Sequence, residues 1–260
     1  MTRAPATESP REWNAEVYDE TSDYQTLWGL EVLDRMPLAG DETVLDAGCG
    51  TGRVTRGLVE RVPRGHVIAV DASAAMVEWA RAALPQVVDV HQIDLSKLEL
   101  ADPVDAVLST AVFHWIPDHD NLFRRLHASL RGGGLLAAQC GGEGNIGRFA
   151  EALGEVAAKP PFEQFLGAWR GPWNFSSAGA ATAALERAGF EAIECWLEPK
   201  TVAPERPRDY LETVILGLHL ERLPQDMRGA YLDAVLAAAP EPLELDYVRL
   251  NIDARRPAGS

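Results

Sequence analysis

The sequence predicts an α/β protein built on an open, mostly parallel seven-stranded sheet with helices on both faces. Three observations predict it. Short apolar runs ending in an acid alternate with segments of helical spacing, a glycine-rich turn joins the first such pair, and the alternation holds to about residue 140. With 260 residues, 47% hydrophobic and 24% charged, the chain is long enough to bury one full core and suits one domain with insertions better than two domains.

Residues 1–12 carry Pro, Thr and Ser without periodicity and read as a disordered tail. Residues 13–37 read as N-terminal cap helices, one of them marked by Leu27, Leu30, Leu33 and Met36 and stopped by Pro37. Trp13, Tyr18, Tyr24, Gln25 and Trp28 give this segment more amphipathic side chains than a connector needs, and such side chains serve cores and pockets alike.

The main domain, residues 38–260, opens with a strand from Val44 that ends at Asp46, after which Val54, Leu58 and Val62 mark a returning helix. Gly48, Gly50 and Gly52 in the turn between them let backbone approach a ligand at the helix N-terminus, as in a nucleotide cradle. The dinucleotide spacing would need a glycine at 53, which is Arg53, so a nicotinamide or flavin cofactor fits poorly.

Residues 66–70 read as the second strand, ending at Asp71, and Ser73 caps a helix on which Met76, Val77, Ala80 and Leu84 face inward. A carboxylate at that strand end accepts hydrogen bonds from ribose in nucleotide-binding βαβ units. Strand three, 87–91, leads to Asp94; strand four, 104–110, leads into 111–117, which should face the reacting groups beyond the carboxyl ends of the strands. Leu122, Phe123, Leu126 and Leu130 form a helix face before the glycines at 132–134, and strand five follows over 135–140.

Residues 141–175 hold Phe149, Phe162, Phe165, Trp169, Trp173 and Phe175, and read either as a cap or lid or as a small satellite core. Ser176 or Ser177 caps the next helix, Gly189 stops it, and 191–198 alternates as strand six. A second insertion at about 207–239 carries two helices over the substrate side, and 243–255 alternates through Leu245, Tyr247 and Arg249 as the last strand.

Charge and composition exclude several functions. With 24 Lys+Arg against 39 Asp+Glu, the net charge of -15 repels a phosphate backbone, so no nucleic-acid partner is expected. No apolar stretch is long enough to span a bilayer, and the polar start lacks an export signal. Cys49, Cys140 and Cys195 lie too far apart for a disulfide framework or a zinc site, so a reduced, cytoplasmic protein without a metal is expected.

With Asp46 at its head, the pattern Asp46-x-Gly48-x-Gly50-x-Gly52 resembles motif I of the class I S-adenosylmethionine-dependent methyltransferases. The resemblance implies their Rossmann-like fold and S-adenosyl-L-methionine as cofactor. It implies a cofactor surface of Asp46, Gly48, Cys49, Gly50, Asp71, Ala72, Met76, Asp94, Leu95 and Thr110, with Asp71 on both ribose hydroxyls, Asp94 on the adenine amine and Leu95 against the ring.

Phe113-His114-Trp115 together with Gln25 resembles small-molecule carboxyl methyltransferases, namely the juvenile hormone acid and the plant salicylate and benzoate enzymes. The layout of the whole chain, including Glu12-Trp13-Asn14, is similar to bacterial trans-aconitate methyltransferases. These resemblances imply a small carboxylic acid as acceptor, oriented by Gln25 and Trp115, with Tyr24 and Trp173 in the substrate wall. A carboxylate, with a pKa of about 4, is already ionised at neutral pH and attacks without a base, so neutral donors that orient it suffice. His114 opens two other readings: a packing residue, or a base for O- or C-methylation of a hydroxylated or acidic-carbon metabolite. A different class of function is a catalytically silent S-adenosylmethionine-binding module, which turnover would distinguish.

Overall fold

Five of the apolar runs lie side by side as parallel strands, and the first two bring Asp46 and Asp71 to one edge. A computed structural model describes residues 11–259, so of the tail read over residues 1–12 only Arg11 and Glu12 fall among the described residues. The strands are β1 (Thr43–Ala47), β2 (His66–Asp71), β3 (Val88–Gln92), β4 (Val104–Thr110), β5 (Leu130–Gly141), β6 (Glu191–Val202) and β7 (Leu245–Arg255). They form one seven-stranded sheet in the order β3-β2-β1-β4-β5-β7-β6. The first five are parallel, and β7 runs antiparallel to both β5 and β6. Register aligns Asp46 with Ala69 and Leu108, and Asp71 with Gln92, so the carboxyl ends of β1, β2 and β4 open onto a common crevice.

Helices α1 (Ala15–Thr21) and α2 (Asp23–Arg35) precede the sheet. Crossovers α3 (Arg53–Arg61), α4 (Ala74–Ala83) and α5 (His119–Ser129) follow β1, β2 and β4. After β5 come α6 (Gly147–Ala157), α7 (Glu163–Leu166) and α8 (Ala178–Ala188), and after β6 come α9 (Pro207–Tyr210), α10 (Gly217–Glu221) and α11 (Gln225–Ala238). None of the described helices is long and apolar enough to cross a membrane.

Strand alternation divides the interior. Leu45, Val107 and Leu136 point to one face and pack with Phe123, Leu126 and Leu185, while Val44 and Leu108 point to the other and pack with Leu33, Leu58 and Val77. A third core lies beyond the carboxyl edge, where Trp28, Phe149, Phe162, Tyr210, Leu211 and Tyr231 gather on Leu245 and Tyr247 of β7. The aromatics of 141–175 thus form a satellite core with the helices after β6, and that core roofs the crevice.

The structure redraws some boundaries. Leu27 is 59% exposed, because the buried stripe of α2 runs through Gln25, Trp28, Val32 and Leu33 instead. Val87 is 68% exposed and β3 starts one residue later. Strand β6 continues to Val202 because β7 offers it a pairing partner as far as Leu245.

Candidate functional site

On the cofactor side, β1 ends at buried Asp46 and the chain turns through the glycines into α3. At Gly48, with φ of 90°, an added Cβ would meet Val112 at 2.2 Å. At Gly50, with φ of 54°, the space beside the backbone is open, with a Tyr18 ring carbon 4.0 Å away as its nearest neighbour. Packing therefore requires the first glycine, and the second leaves bare backbone facing a cleft.

Asp71 accepts hydrogen bonds from Gly50 N–H at 3.0 Å and Ser73 N–H at 2.9 Å. Burial pushes its pKa up against the pull of these donors. Asp46 accepts from the Thr55 hydroxyl at 2.6 Å, and burial raises its pKa to about 6. The cleft encloses about 350 Å³, counting the part open to solvent, and Gln25, Gly48, Cys49, Gly50, Thr110 and Ala111 are among its walls.

Around the crevice, Met76 and Leu95 are buried, the Ala72 carbonyl accepts from Gln92, and Asp94 accepts from Ser96 N–H at 2.9 Å. Burial holds the Cys49 thiol protonated, well above its ordinary pKa. Bare backbone at Gly50 and the carboxylates of Asp46 and Asp71 fit a nucleoside ligand that carries positive charge. Among the described residues no His, Cys, Asp and Glu group is arranged to hold a metal.

The N-terminal segment closes over this cleft through contacts that sequence reasoning missed. The Glu12 carboxylate accepts from the Ser73 hydroxyl at 2.9 Å and from the N–H groups of Ala74 and Ala75 at 3.1 and 3.3 Å, capping α4 beside Asp71. Arg53, the residue that spoils the dinucleotide pattern, donates to the Asp19 carbonyl at 2.8 Å and pairs with Asp23. It ties α1 and α2 down to the glycine turn.

On the acceptor side, Gln25 Nε2 donates to the Tyr210 hydroxyl at 2.8 Å, which in turn meets the Tyr247 hydroxyl at 2.8 Å. Gln25 Oε1 is buried without a partner. Turning this amide by 180° lets Tyr210 donate to Oε1 and presents the NH₂ at the unpartnered position, the donor that a carboxylate requires.

His114 and Trp115 share one 3₁₀ turn after β4. The Nδ1 of His114 accepts from Gly141 N–H at 3.2 Å, and burial, with Arg249 and His119 nearby, holds its pKa well below 6.5. Trp115 packs edge-on against Trp13 at 5.6 Å and lies 6.3 Å from Trp173, which stacks on Phe175. The insertion is stitched to this turn by Asn174, whose N–H donates to the His114 carbonyl at 2.8 Å.

Gln25 and Trp115 share no hydrogen bond among the described residues; Tyr18 lines the same cleft as Gln25, and the Trp13 ring lies 5.2 Å from Tyr18 and 5.6 Å from Trp115. The Tyr24 hydroxyl donates to the Ala203 carbonyl at 3.1 Å, placing that side chain at the margin of the roof core. Tyr210, Tyr247 and Arg249 also escaped sequence reasoning as site residues. For two of them a signal existed, since Leu245, Tyr247 and Arg249 alternate onto one face of the last strand.

Residues 44–134 match a family model described as a methyltransferase domain. The trans-aconitate 2-methyltransferase of Azoarcus sp. (strain BH72) is 34% identical over 235 residues, covering 85% of this chain and 87% of that protein. The trans-aconitate 2-methyltransferase of Methylobacterium nodulans is 34% identical over 187 residues, covering 72% of this chain and 67% of that one. In fold, the chain is similar to an S-adenosylmethionine-dependent methyltransferase from Mesorhizobium loti, with a TM-score of 0.53 at 22% identity over 89% of this chain and 98% of that one.

Proposed function

Since the chain belongs to the class I S-adenosylmethionine-dependent methyltransferases, of the kind that act on small molecules, we propose that its acceptor atom is a carboxylate oxygen of a small organic acid. The product is then a methyl ester. S-adenosyl-L-methionine, when bound, supplies an electrophilic sulfonium methyl. Asp71 would hold the ribose and the turn at Gly48–Gly50 would meet the rest of the cofactor, while Asp46 and Asp71 balance its positive charge.

The observation that carries the acceptor reading is the state of His114. Its Nδ1 already accepts a backbone N–H, so the proton of the neutral ring sits on Nε2 and the ring offers a donor there rather than a base. A hydroxyl acceptor would need a base at this place, and a carboxylate needs none. The Trp115 indole N–H has no partner among the described residues, which leaves it free to orient one carboxylate oxygen while the other attacks. The names of the two trans-aconitate 2-methyltransferase relatives support the same reading.

The test is incubation with methyl-labelled cofactor and a panel of small acids, phenols and amines. Label in a base-labile ester of the acids is the expected result. Label in base-stable ethers or methylamines alone would overturn the carboxylate reading.

A further inference from the structure

Tyr18 stands on α1 over the middle of the cleft. A carbon of its ring lies 4.0 Å from the point that a Cβ on Gly50 would occupy, and the side chain lines the cleft together with Gly50, Thr110 and Gln25. Asp71, at the cofactor end, and Tyr210, which holds Gln25 at the acceptor end, both lie within reach of its phenol. Burial pushes the pKa of that phenol up, so the ring is neutral throughout the physiological range.

Core packing does not account for this placement. Among the described residues, the roof core takes in Trp28 and Tyr24 from the same segment, while Tyr18 belongs to no core. The ring is nonetheless fixed over the turn. The N–H of Tyr18 donates to the Asn14 carbonyl at 2.9 Å, Trp13 packs edge-on against the ring at 5.2 Å, and Arg53 donates at 2.8 Å to the carbonyl of Asp19, the next residue. An aromatic ring held out of the cores and over bare backbone is placed for a ligand.

We propose that the ring of Tyr18 is a cofactor-binding group that contacts the sulfonium and favours the charged cofactor relative to its neutral product, S-adenosylhomocysteine. The proposal rests on the placement of the cofactor given above and is independent of which acceptor atom is methylated. With the ribose on Asp71 and the acceptor beside Gln25, the methyl group is handed over between them, where Tyr18 stands. A sulfonium carries a full positive charge but no N–H or O–H, so Asp46 and Asp71 attract it without a hydrogen bond. An aromatic face meets such a cation across its van der Waals surface, as it meets quaternary ammonium groups. After transfer the sulfur has kept the electron pair of the broken CH₃–S bond and is a neutral thioether. The contact then weakens, and the product leaves a site that favours fresh cofactor.

Calorimetry of the full-length protein with S-adenosylmethionine and with S-adenosylhomocysteine tests this with no acceptor present. Tyr18→Leu should weaken S-adenosylmethionine at least about fivefold relative to S-adenosylhomocysteine, the scale of one desolvated cation–ring contact. Tyr18→Phe, which keeps the ring, should hold the wild-type ratio of the two affinities within about twofold. Replacing Tyr18 by 3,4,5-trifluorophenylalanine preserves the shape, drains negative charge from the ring face, and should move the ratio in the direction that Tyr18→Leu moves it. Equal weakening of both ligands in Tyr18→Leu, or a ratio that ring fluorination leaves unmoved, overturns the proposal and leaves the cofactor site standing. A Tyr18→Phe ratio as low as that of Tyr18→Leu puts the contact on the hydroxyl and overturns it too. A wild-type protein that binds neither ligand overturns the cofactor placement and the proposal together.

Discussion

Asp46 shows at the scale of one residue how a binding site works against the fold that carries it. Its carboxyl is 1% exposed and has a pKa of about 6, against 3.8 for an ordinary aspartate. The folded protein therefore holds this proton more tightly than the unfolded chain does, and the cofactor-free protein loses stability as pH rises from 3.8 to about 6. Asp46→Asn keeps an acceptor for Thr55 and removes the buried charge. It should stabilise the cofactor-free protein at pH 7.5 by about 1–3 kcal/mol, with the gain vanishing near pH 4, while weakening S-adenosylmethionine. Urea unfolding at the two pH values and calorimetry check both parts. His114 and Trp115 make a second residue-scale prediction. With His114 neutral, activity should be flat between pH 6 and 8, and His114→Gln should keep substantial turnover. Trp115→Phe keeps a ring and removes one donor, and should lower kcat/KM about tenfold. A rate that rises through a pKa near 6.5 and collapses in His114→Gln, with cofactor affinity intact, would instead mean that the imidazole is a base.

At the scale of elements, the N-terminal segment is held by charge at a helix end. Glu12 is mostly exposed, yet burial of what remains would raise its pKa, and hydrogen bonds from Ala74, Ser73 and Ala75 at the start of α4 reverse that and lower it. The stabilisation is present above the ordinary glutamate pKa of 4.5 and is lost as pH falls. Glu12→Gln should weaken this clasp by only about 0.5 kcal/mol, less at high salt, because the site is wet. Its visible effect should be faster amide exchange in α1 and the first turn of α4, with the sheet unchanged. Equal exchange in both proteins would show that the segment is held by Arg53 instead. These elements also show what a sequence reveals. Strands β1, β2 and β4 were legible because each is a short apolar run closed by a local signal, and the start of α8 was legible to within one residue, Ser176 or Ser177, of which Ser177 is the cap, its side chain accepting from Ala180 N–H. The start of β5 at Leu130 was not, since three glycines at 132–134 read as a loop and only pairing with β4 and the chain around Arg256 makes them strand.

The whole molecule consists of a sheet with two flanking cores and a separate aromatic roof, and this division explains what was readable about the site. The residues that the family resemblance assigns to the cofactor all fall in one stretch between residues 44 and 110, so a local motif could point to them. Gln25 and Tyr210, 185 residues apart, meet only through the fold, and nothing near either residue in the sequence announces their hydrogen bond. The same division gives a prediction. Phe149 is 1% exposed in the roof core, so Phe149→Ala should cost about 3–5 kcal/mol of stability and raise the acceptor KM. Cofactor affinity should stay within about twofold; a parallel loss of both would mean that roof and sheet move as one body. The placement of β7 between β5 and β6 has a further meaning during synthesis. Among the described residues β6 pairs with β7 alone, so as the chain leaves the ribosome the Rossmann half can assemble while β5 is still an open edge and β6 waits unpaired. The strand that seals that edge is the one that brings Arg249 and Tyr247. A nascent chain can thus form the glycine turn and the Asp71 strand end before the strand that closes the sheet has been made.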